Sequence, residues 1–273
     1  VLIDAHCHVW RIGRNGHAWP TRDLPAIHRD FDLDDLSRAG AEVGLAGAVL
    51  VQSQASQRDT EWLLEIAAEN PLVLGVVGWT DIAAPDAAER IARLATNARL
   101  KGLRPMLQDL ADDWILDPHL EPAIAAMVEA GLSFDALIRP RHLPSLLELA
   151  RRWPQLRIVI DHGAKPDIGA GALDPWREQI AALAAQPGVH CKLSGLLTEA
   201  GNLPTAEALA PFAAHLSETF GPDRLMWGSD WPVLNLASDY AGWRAMADSF
   251  GASLDPAGRR ALFGETARRF YRL

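Results

Sequence analysis

Cysteine is scarce in this chain: only Cys7 and Cys191 occur in 273 residues. Both sit inside strand-like apolar runs, so a disulfide framework is not the organising device, and a reducing cytoplasm is the simpler setting. Long basic runs are missing as well. Lysine and arginine number 26 against 35 aspartates and glutamates, a formal net charge of −9 with the signs interspersed, which argues against nucleic acid as a partner. Any anionic ligand would need local arginine or lysine. No apolar stretch approaches bilayer length and no basic leader precedes one, so a soluble, unexported protein without a membrane partner is the expectation. Solenoid-period repeats, low-complexity tracts and linker-like composition are also absent, which leaves a single domain over residues 1–273. Oligomeric state leaves no legible mark.

The chain does have ample material for a core, at 49% hydrophobic. Runs rich in Val, Ile and Leu recur at Leu2–His8, Gly47–Gln52, Leu72–Trp79, Leu100–Met106, Leu132–Ile138, Arg157–His162, Val189–Ser194 and Leu225–Ser229. Stretches with helical spacing lie between them, including Asp59–Glu69, Pro85–Ala98, Glu121–Ala130, Leu143–Trp153 and Pro175–Ala185. Eight strands alternating with helices over this length predict an α/β fold of the (β/α)8 TIM-like barrel type. An open doubly wound sheet is the alternative, weakened because no phosphate-binding glycine fingerprint follows the first strand. Asp32 and Asp34 favour the start of the first helix, and Gly40 and Gly131 favour helix endings. The longest irregular stretches, Val9–Phe31, Gly163–Asp174 and Glu199–Thr205, each follow a strand, on the face where barrels carry active sites.

Strand ends also hold the chemistry. In an extended strand Asp4, His6 and His8 share a face, and two imidazoles held that way suit a metal or an oxyanion. A short His-x-His is by itself weak evidence, but His162 ends the sixth strand-like run and Asp230 follows the eighth. A barrel would bring all four to one mouth, where three imidazoles and a carboxylate suit one Zn²⁺ or similar ion. His6, His8, His162 and Asp230 are therefore the candidate metal ligands. Asp230 is the better proton acceptor and His162 its catalytic partner, since imidazoles suit ligation or oxyanion stabilisation. The blander alternative makes His162 a core histidine and Asp230 a turn former before Pro232.

Four segments carry a family resemblance: Asp4-Ala5-His6-Cys7-His8-Val9-Trp10, Asp161-His162-Gly163-Ala164-Lys165-Pro166, Cys191-Lys192-Leu193-Ser194-Gly195-Leu196 and Trp227-Gly228-Ser229-Asp230-Trp231-Pro232. In this order they resemble the amidohydrolase superfamily, and within it the branch of sugar-acid lactonases. The resemblance implies a distorted (β/α)8 barrel that hydrolyses a small-molecule lactone, aldonic or aldaric, to a hydroxy acid. Binuclear members take a bridging Lys or Glu from the fourth strand and a His from the fifth. Here those strands read Leu100-Lys101-Gly102-Leu103-Arg104-Pro105 and Ser133-Phe134-Asp135-Ala136-Leu137, so too few ligands remain for two metals. The branch includes enzymes with one zinc and enzymes with none, so the cofactor expected is one divalent metal, zinc foremost, or none.

On this reading Asp230 deprotonates the attacking water, the histidines or a metal hold the oxyanion, and Asp230 returns the proton to the leaving alkoxide. Arg104 resembles a branch position that meets substrate carboxylate or hydroxyls; Lys165 and Trp231 are the other substrate-binding candidates, with Arg139 ranked below them. Asp135 either enters the barrel or faces the helices, and Gln52 and Ser194 each donate inside the mouth or satisfy a strand end. The first loop adds aromatic rings, Trp19 among them, suited to a sugar face. A second reading is metal-dependent nonoxidative decarboxylation of an aromatic acid on the same fold; a third is a sugar-binding or scaffolding barrel.

Overall fold

Every strand-like run becomes a strand in the computed structural model, which describes residues 1–202 and 204–273. The expected irregular stretch Glu199–Thr205 includes Leu203, which lies outside the described residues. The strands are β1 Leu2–Cys7, β2 Leu45–Val51, β3 Val73–Gly78, β4 Leu100–Leu103, β5 Ser133–Ala136, β6 Arg157–Ile160, β7 Val189–Leu193 and β8 Leu225–Trp227. They pair in parallel in sequence order, each neighbour with the next. Helices α1 Leu33–Ala41, α2 Gln57–Glu69, α3 Ala87–Leu94, α4 Glu121–Glu129, α5 Leu143–Arg152, α6 Trp176–Ala184, α7 Ala206–Phe220, α8 Tyr240–Phe250, α9 Pro256–Arg260 and α10 Thr266–Tyr271 complete the chain. This is the (β/α)8 barrel that the alternation implied.

Local chemistry sets the helix ends. The Asp32 side chain accepts from the Asp35 amide at 3.0 Å and the Asp35 carboxylate reaches back to the Asp32 amide, a reciprocal cap that starts α1. Gly131 follows α4 in the left-handed region, as expected of an ending glycine. Gly40 does not end its helix. It lies inside α1, where a Cβ would come within 2.7 Å of the Leu45 side chain, so its role is close packing against β2. Position alone does not separate these two uses of glycine.

Strand alternation sorts the barrel interior from the layer under the helices. Ile3, Ala5, Val49, Val51, Val77, Val159 and Met226 form one apolar cluster with Ala267, Phe270 and Tyr271 of α10. Their strand neighbours Ala48, Leu50, Ile158, Ile160, Cys191 and Trp227 pack in the larger cluster shared with the helices. The aromatic rings of α10 thus plug the N-terminal end of the barrel, while the opposite end is left for polar groups. β8 meets β1 beyond the strand proper: the Asp230 amide donates to the His6 carbonyl at 2.8 Å and the His8 amide to the Trp231 carbonyl at 2.7 Å. The seam that closes the barrel is built from the site residues' own backbone. Among the described residues no helix is long and apolar enough to cross a membrane.

Candidate active site

β1 places His6 and His8 through a break in its alternation. The β1–β2 register shifts between Asp4 and Cys7, so Ile3 and Ala5 pack inside the barrel while the odd-numbered Cys7 joins the outer layer and His6 and His8 face the mouth. Asp4 therefore does not join the two histidines, contrary to the simple two-residue period. Its buried carboxylate accepts from the Ser229 amide at 2.9 Å, the Ser229 hydroxyl at 2.5 Å and the Tyr240 hydroxyl at 2.8 Å. Asp4 pins β1 to the segment carrying Asp230 and to α8.

His162 and Asp230 are aimed by unusual backbone. His162 has φ 55°, Asp230 φ 57° and Lys165 φ 52°, so three of the six described non-glycine residues at positive φ border the same cavity. Such conformations are disfavoured for side chains with a Cβ and persist where surrounding contacts impose them. The Ser194 hydroxyl lies 2.9 Å from His162 Nδ1, so Ser194 orients that ring.

All four expected groups meet at Asp230. Its Oδ1 lies 3.2 Å from His8 Nε2, 3.7 Å from His6 Nε2 and 3.8 Å from His162 Nε2. Burial alone would raise the Asp230 carboxyl, but His162, the His8 hydrogen bond and His6 together hold it below the usual carboxylate range. Burial takes the His162 ring down to about 4, against the opposing pull of Asp230 and Asp161, so it is neutral at pH 7. Burial likewise keeps His6 neutral, its pKa well below the ordinary histidine value.

Beneath these groups lies a second buried layer of charge. Lys192 of β7, fully buried, sits 2.8 Å from Asp135 Oδ2, 2.9 Å from Asp161 Oδ1 and 3.1 Å from His6 Nδ1. Desolvation would strip its proton, yet the two carboxylates hold its pKa above the ordinary lysine value. Asp135 does enter the barrel, where it also accepts from Ser133 and Tyr271. Lys192 and Asp161 had no assigned role in the sequence reading. The signal was a lysine in an apolar strand, between Cys191 and Leu193 that pack outward.

A cavity of ≈ 250 Å³ opens above Asp230, lined by His8, Trp19, Ser53, Arg104, Met106, Gln108, Asp109, Leu137, His162, Lys165, Asp230 and Val233. Arg104 and Lys165 are present as expected, but both are engaged. Arg104 donates to the Gln52 carbonyl and faces Asp161 at 3.5 Å, and Lys165 faces Glu199 at 3.6 Å. Gln52 holds Arg104 rather than donating into the mouth. Arg139 is exposed and does not line the cavity. Trp231 is not there either. Its ring is buried against Phe31 at 5.2 Å between centroids, because the seam with β1 turns the chain after Asp230 back into the core. The tryptophan that does line the cavity is Trp19, whose carbonyl accepts from the buried Gln54 amide at 2.6 Å while Gln54 Oε1 accepts from the Ala18 amide.

Residues 3–273 match the model of the amidohydrolase family. The chain belongs to that family. It is 49% identical over 276 residues to an L-fucono-1,5-lactonase of Burkholderia ambifaria, covering 99% of this chain and 95% of that protein. An L-fucono-1,5-lactonase of Burkholderia multivorans is 35% identical, with 99% and 96% covered. A crystal structure of an amidohydrolase from Burkholderia multivorans with bound zinc superposes with a TM-score of 0.94 at 34% identity, covering all of this chain and 99% of that one.

The side chains fit a metal of the kind this amidohydrolase relative holds. His8 Nδ1 lies 2.8 Å from the Val51 carbonyl, which fixes the ring so that Nε2 faces the Asp230 carboxylate at 3.2 Å. About 3.3 Å is the ligand spacing of a tetrahedral zinc with ~2 Å bonds, so these two atoms are placed to ligate one ion. Donors within 4.8 Å of one another fall into two triplets, His6, His8 and Asp230, and His6, Asp161 and His162. The four expected ligands are thus divided between overlapping sets that share His6.

Proposed function

We propose that this amidohydrolase opens the ring of a neutral aldonic lactone, with Asp230 as the base that activates water. At the coarser level the chain is a lactonase acting on a sugar-derived acid, as its near full-length relationship to two L-fucono-1,5-lactonases supports. The observation that carries the mechanism is one ionised carboxylate at the floor of a small cavity with three imidazole nitrogens within 3.8 Å of it. A water between Asp230 and the lactone carbonyl would pass its proton to Oδ1 as the new C–O bond forms. Charge then develops on the carbonyl oxygen, beside the imidazoles of His6 and His162, which suit it as hydrogen-bond donors. Asp230 holds its proton weakly, so it passes it on readily to the ring oxygen as that bond breaks. A divalent ion held by His6, His8 and Asp230 would supply polarisation of the carbonyl and a more acidic water.

The charge of the cavity favours a neutral substrate. Its two cations, Arg104 and Lys165, face Asp161 and Glu199, while Asp109 and Asp230 add negative charge to the wall. A second carboxylate, as in an aldaric lactone or a pyrone dicarboxylate, would find no unpaired cation among these lining residues. Hydroxyls suit Ser53, Gln108 and Asp109, and the apolar wall of Trp19, Met106, Leu137 and Val233 suits a carbon face. A pH-indicator assay over neutral aldonolactones, aldaric lactones and aromatic acids tests this. Neutral lactones are expected to release acid with kcat/KM at least tenfold above the dicarboxylates. Carbon dioxide release from an aromatic acid, with no lactone opened, would replace this reading by decarboxylation.

A further inference from the structure

We propose that Gln54 is a positioning residue whose amide assembles a sugar-ring subsite from two cavity-lining side chains, Trp19 and Ser53. The ligand class, a neutral ring bearing hydroxyls, rests on the lactone-opening reading. Gln54 is buried just beyond the end of β2. Its Nε2 donates to the Trp19 carbonyl at 2.6 Å and to the Ser53 hydroxyl oxygen at 3.3 Å, while its Oε1 accepts from the Ala18 amide at 2.9 Å. Backbone chemistry fixes which way this amide points. A carbonyl can only accept and a backbone N–H can only donate, so turning the amide over would break both loop contacts at once.

The base of the first loop closes without Gln54. Trp10 and Phe31 exchange backbone hydrogen bonds at 3.1 Å each, the Ile12 amide donates to Asp30 at 2.8 Å, and the Trp10 ring nitrogen donates to the Arg29 carbonyl at 2.8 Å. Gln54 ties down the part of the loop that reaches the cavity. Trp19 is thereby held twice, its carbonyl by Gln54 and its ring against the buried Trp10 ring at 5.6 Å between centroids. A ring fixed in advance gives up little freedom when a ligand packs on it. The tie is itself anchored. The Ser53 and Gln54 amides donate to the buried Asp59 Oδ2 at 3.0 and 3.3 Å, and Asn15 of the first loop donates to Asp59 Oδ1 at 3.4 Å.

Ser53 gains a direction from the same amide. Its oxygen accepts from Gln54, and its own proton meets no acceptor among the described residues, so the hydroxyl is left to donate into the cavity it lines. Trp19 and Ser53 then offer an apolar face and an O–H donor joined through one side chain. A hydroxyl-bearing ring carbon uses both, its C–H against the indole and its oxygen on the serine. Neither contact carries charge.

Calorimetric titration of the full chain with neutral five- and six-membered aldonolactams, ring amides that bind without turnover, tests the subsite apart from hydrolysis. Gln54→Glu keeps the side-chain length and the acceptor for Ala18 but removes both donors. It should weaken lactam binding at least fivefold at unchanged stoichiometry, because a variant that merely folds less well binds fewer equivalents at the parent's Kd. A smaller change in Kd overturns the proposal. Trp19→Leu and Ser53→Ala should each weaken binding as well, and parent-like binding by either overturns it. Gln54→Glu combined with Trp19→Leu should lose less than the product of the two single losses, since Gln54 acts through that ring; losses that multiply in full overturn the positioning role. Should Gln54→Glu fail to fold, Gln54→Met, apolar and of similar length, takes its place with the same expectations. A protein that opens no lactone yet binds a lactam through Gln54 keeps the subsite and loses the lactone reading. One that opens lactones while its lactam binding ignores Gln54 does the opposite.

Discussion

Asp230 and His162 both carry polar side chains on left-handed backbone, and small neighbours make room for them. Gly195, at φ +60°, is the clearest case: a Cβ there would lie 2.3 Å from His162 Nδ1 and 2.6 Å from its Cγ. Gly195→Ala should therefore displace the ring, lowering kcat/KM on a lactone at least tenfold and costing about 1–3 kcal/mol of stability through the strained φ. Steady-state kinetics with urea unfolding of the same variant checks both. His6, His8, His162 and Asp230 were legible in the sequence because a titratable residue that ends an apolar run has few structural reasons to be there. The placement of Trp231 away from the cavity and the buried ion pairs of Lys192 were not legible, for related reasons. Where a side chain goes after a strand ends depends on the next backbone turn, and the neighbours that make a buried lysine tolerable, Asp135 and Asp161, come from other strands.

Among the elements, β1 does the most to shape the site. A uniform two-residue period would have aimed Asp4, His6 and His8 together, and the register shift instead sends Asp4 to the seam and the histidines to the mouth. Periodicity reveals that a strand exists but not where it skips, since a bulge depends on the partner strand. The β8 end of the seam is equally tight. A Cβ on Gly228 would sit 2.7 Å from His6 Cβ and 3.0 Å from the His6 backbone nitrogen, which cannot swing aside as a side-chain tip can. Gly228→Ala is expected to part β8 from β1, with a loss of 2 kcal/mol or more, of the order of other overpacking changes, and little remaining hydrolysis. Thermal unfolding that stays at the parent midpoint would show that the seam tolerates the methyl group.

At the scale of the whole molecule, the count and order of strands were legible because each strand lies in a run rich in apolar residues, while the ion pairs formed inside the barrel were not. Burial also makes stability depend on pH. His190 of β7 packs on Phe270 at 4.6 Å, and burial lowers its pKa to about 4, with Arg224 and Arg157 adding to the shift. Between pH 6.5 and 4 the unfolded chain binds the proton that the folded chain refuses, so stability is held above pH 6.5 and falls on acidification through that window. By pH 5 this residue alone is worth about 1–2 kcal/mol, and His190→Asn should flatten that part of the loss when urea midpoints are compared at pH 7 and pH 5. Barrel and site come together in one comparison: hydrolysis of a neutral aldonolactone by the parent protein and by Asp230→Asn. The variant keeps the shape of the carboxylate and removes the base, so kcat should fall by about 10²–10⁴ with KM within a few-fold and the thermal midpoint little changed. A kcat near that of the parent would contradict the role of Asp230 and the water-activation mechanism built on it.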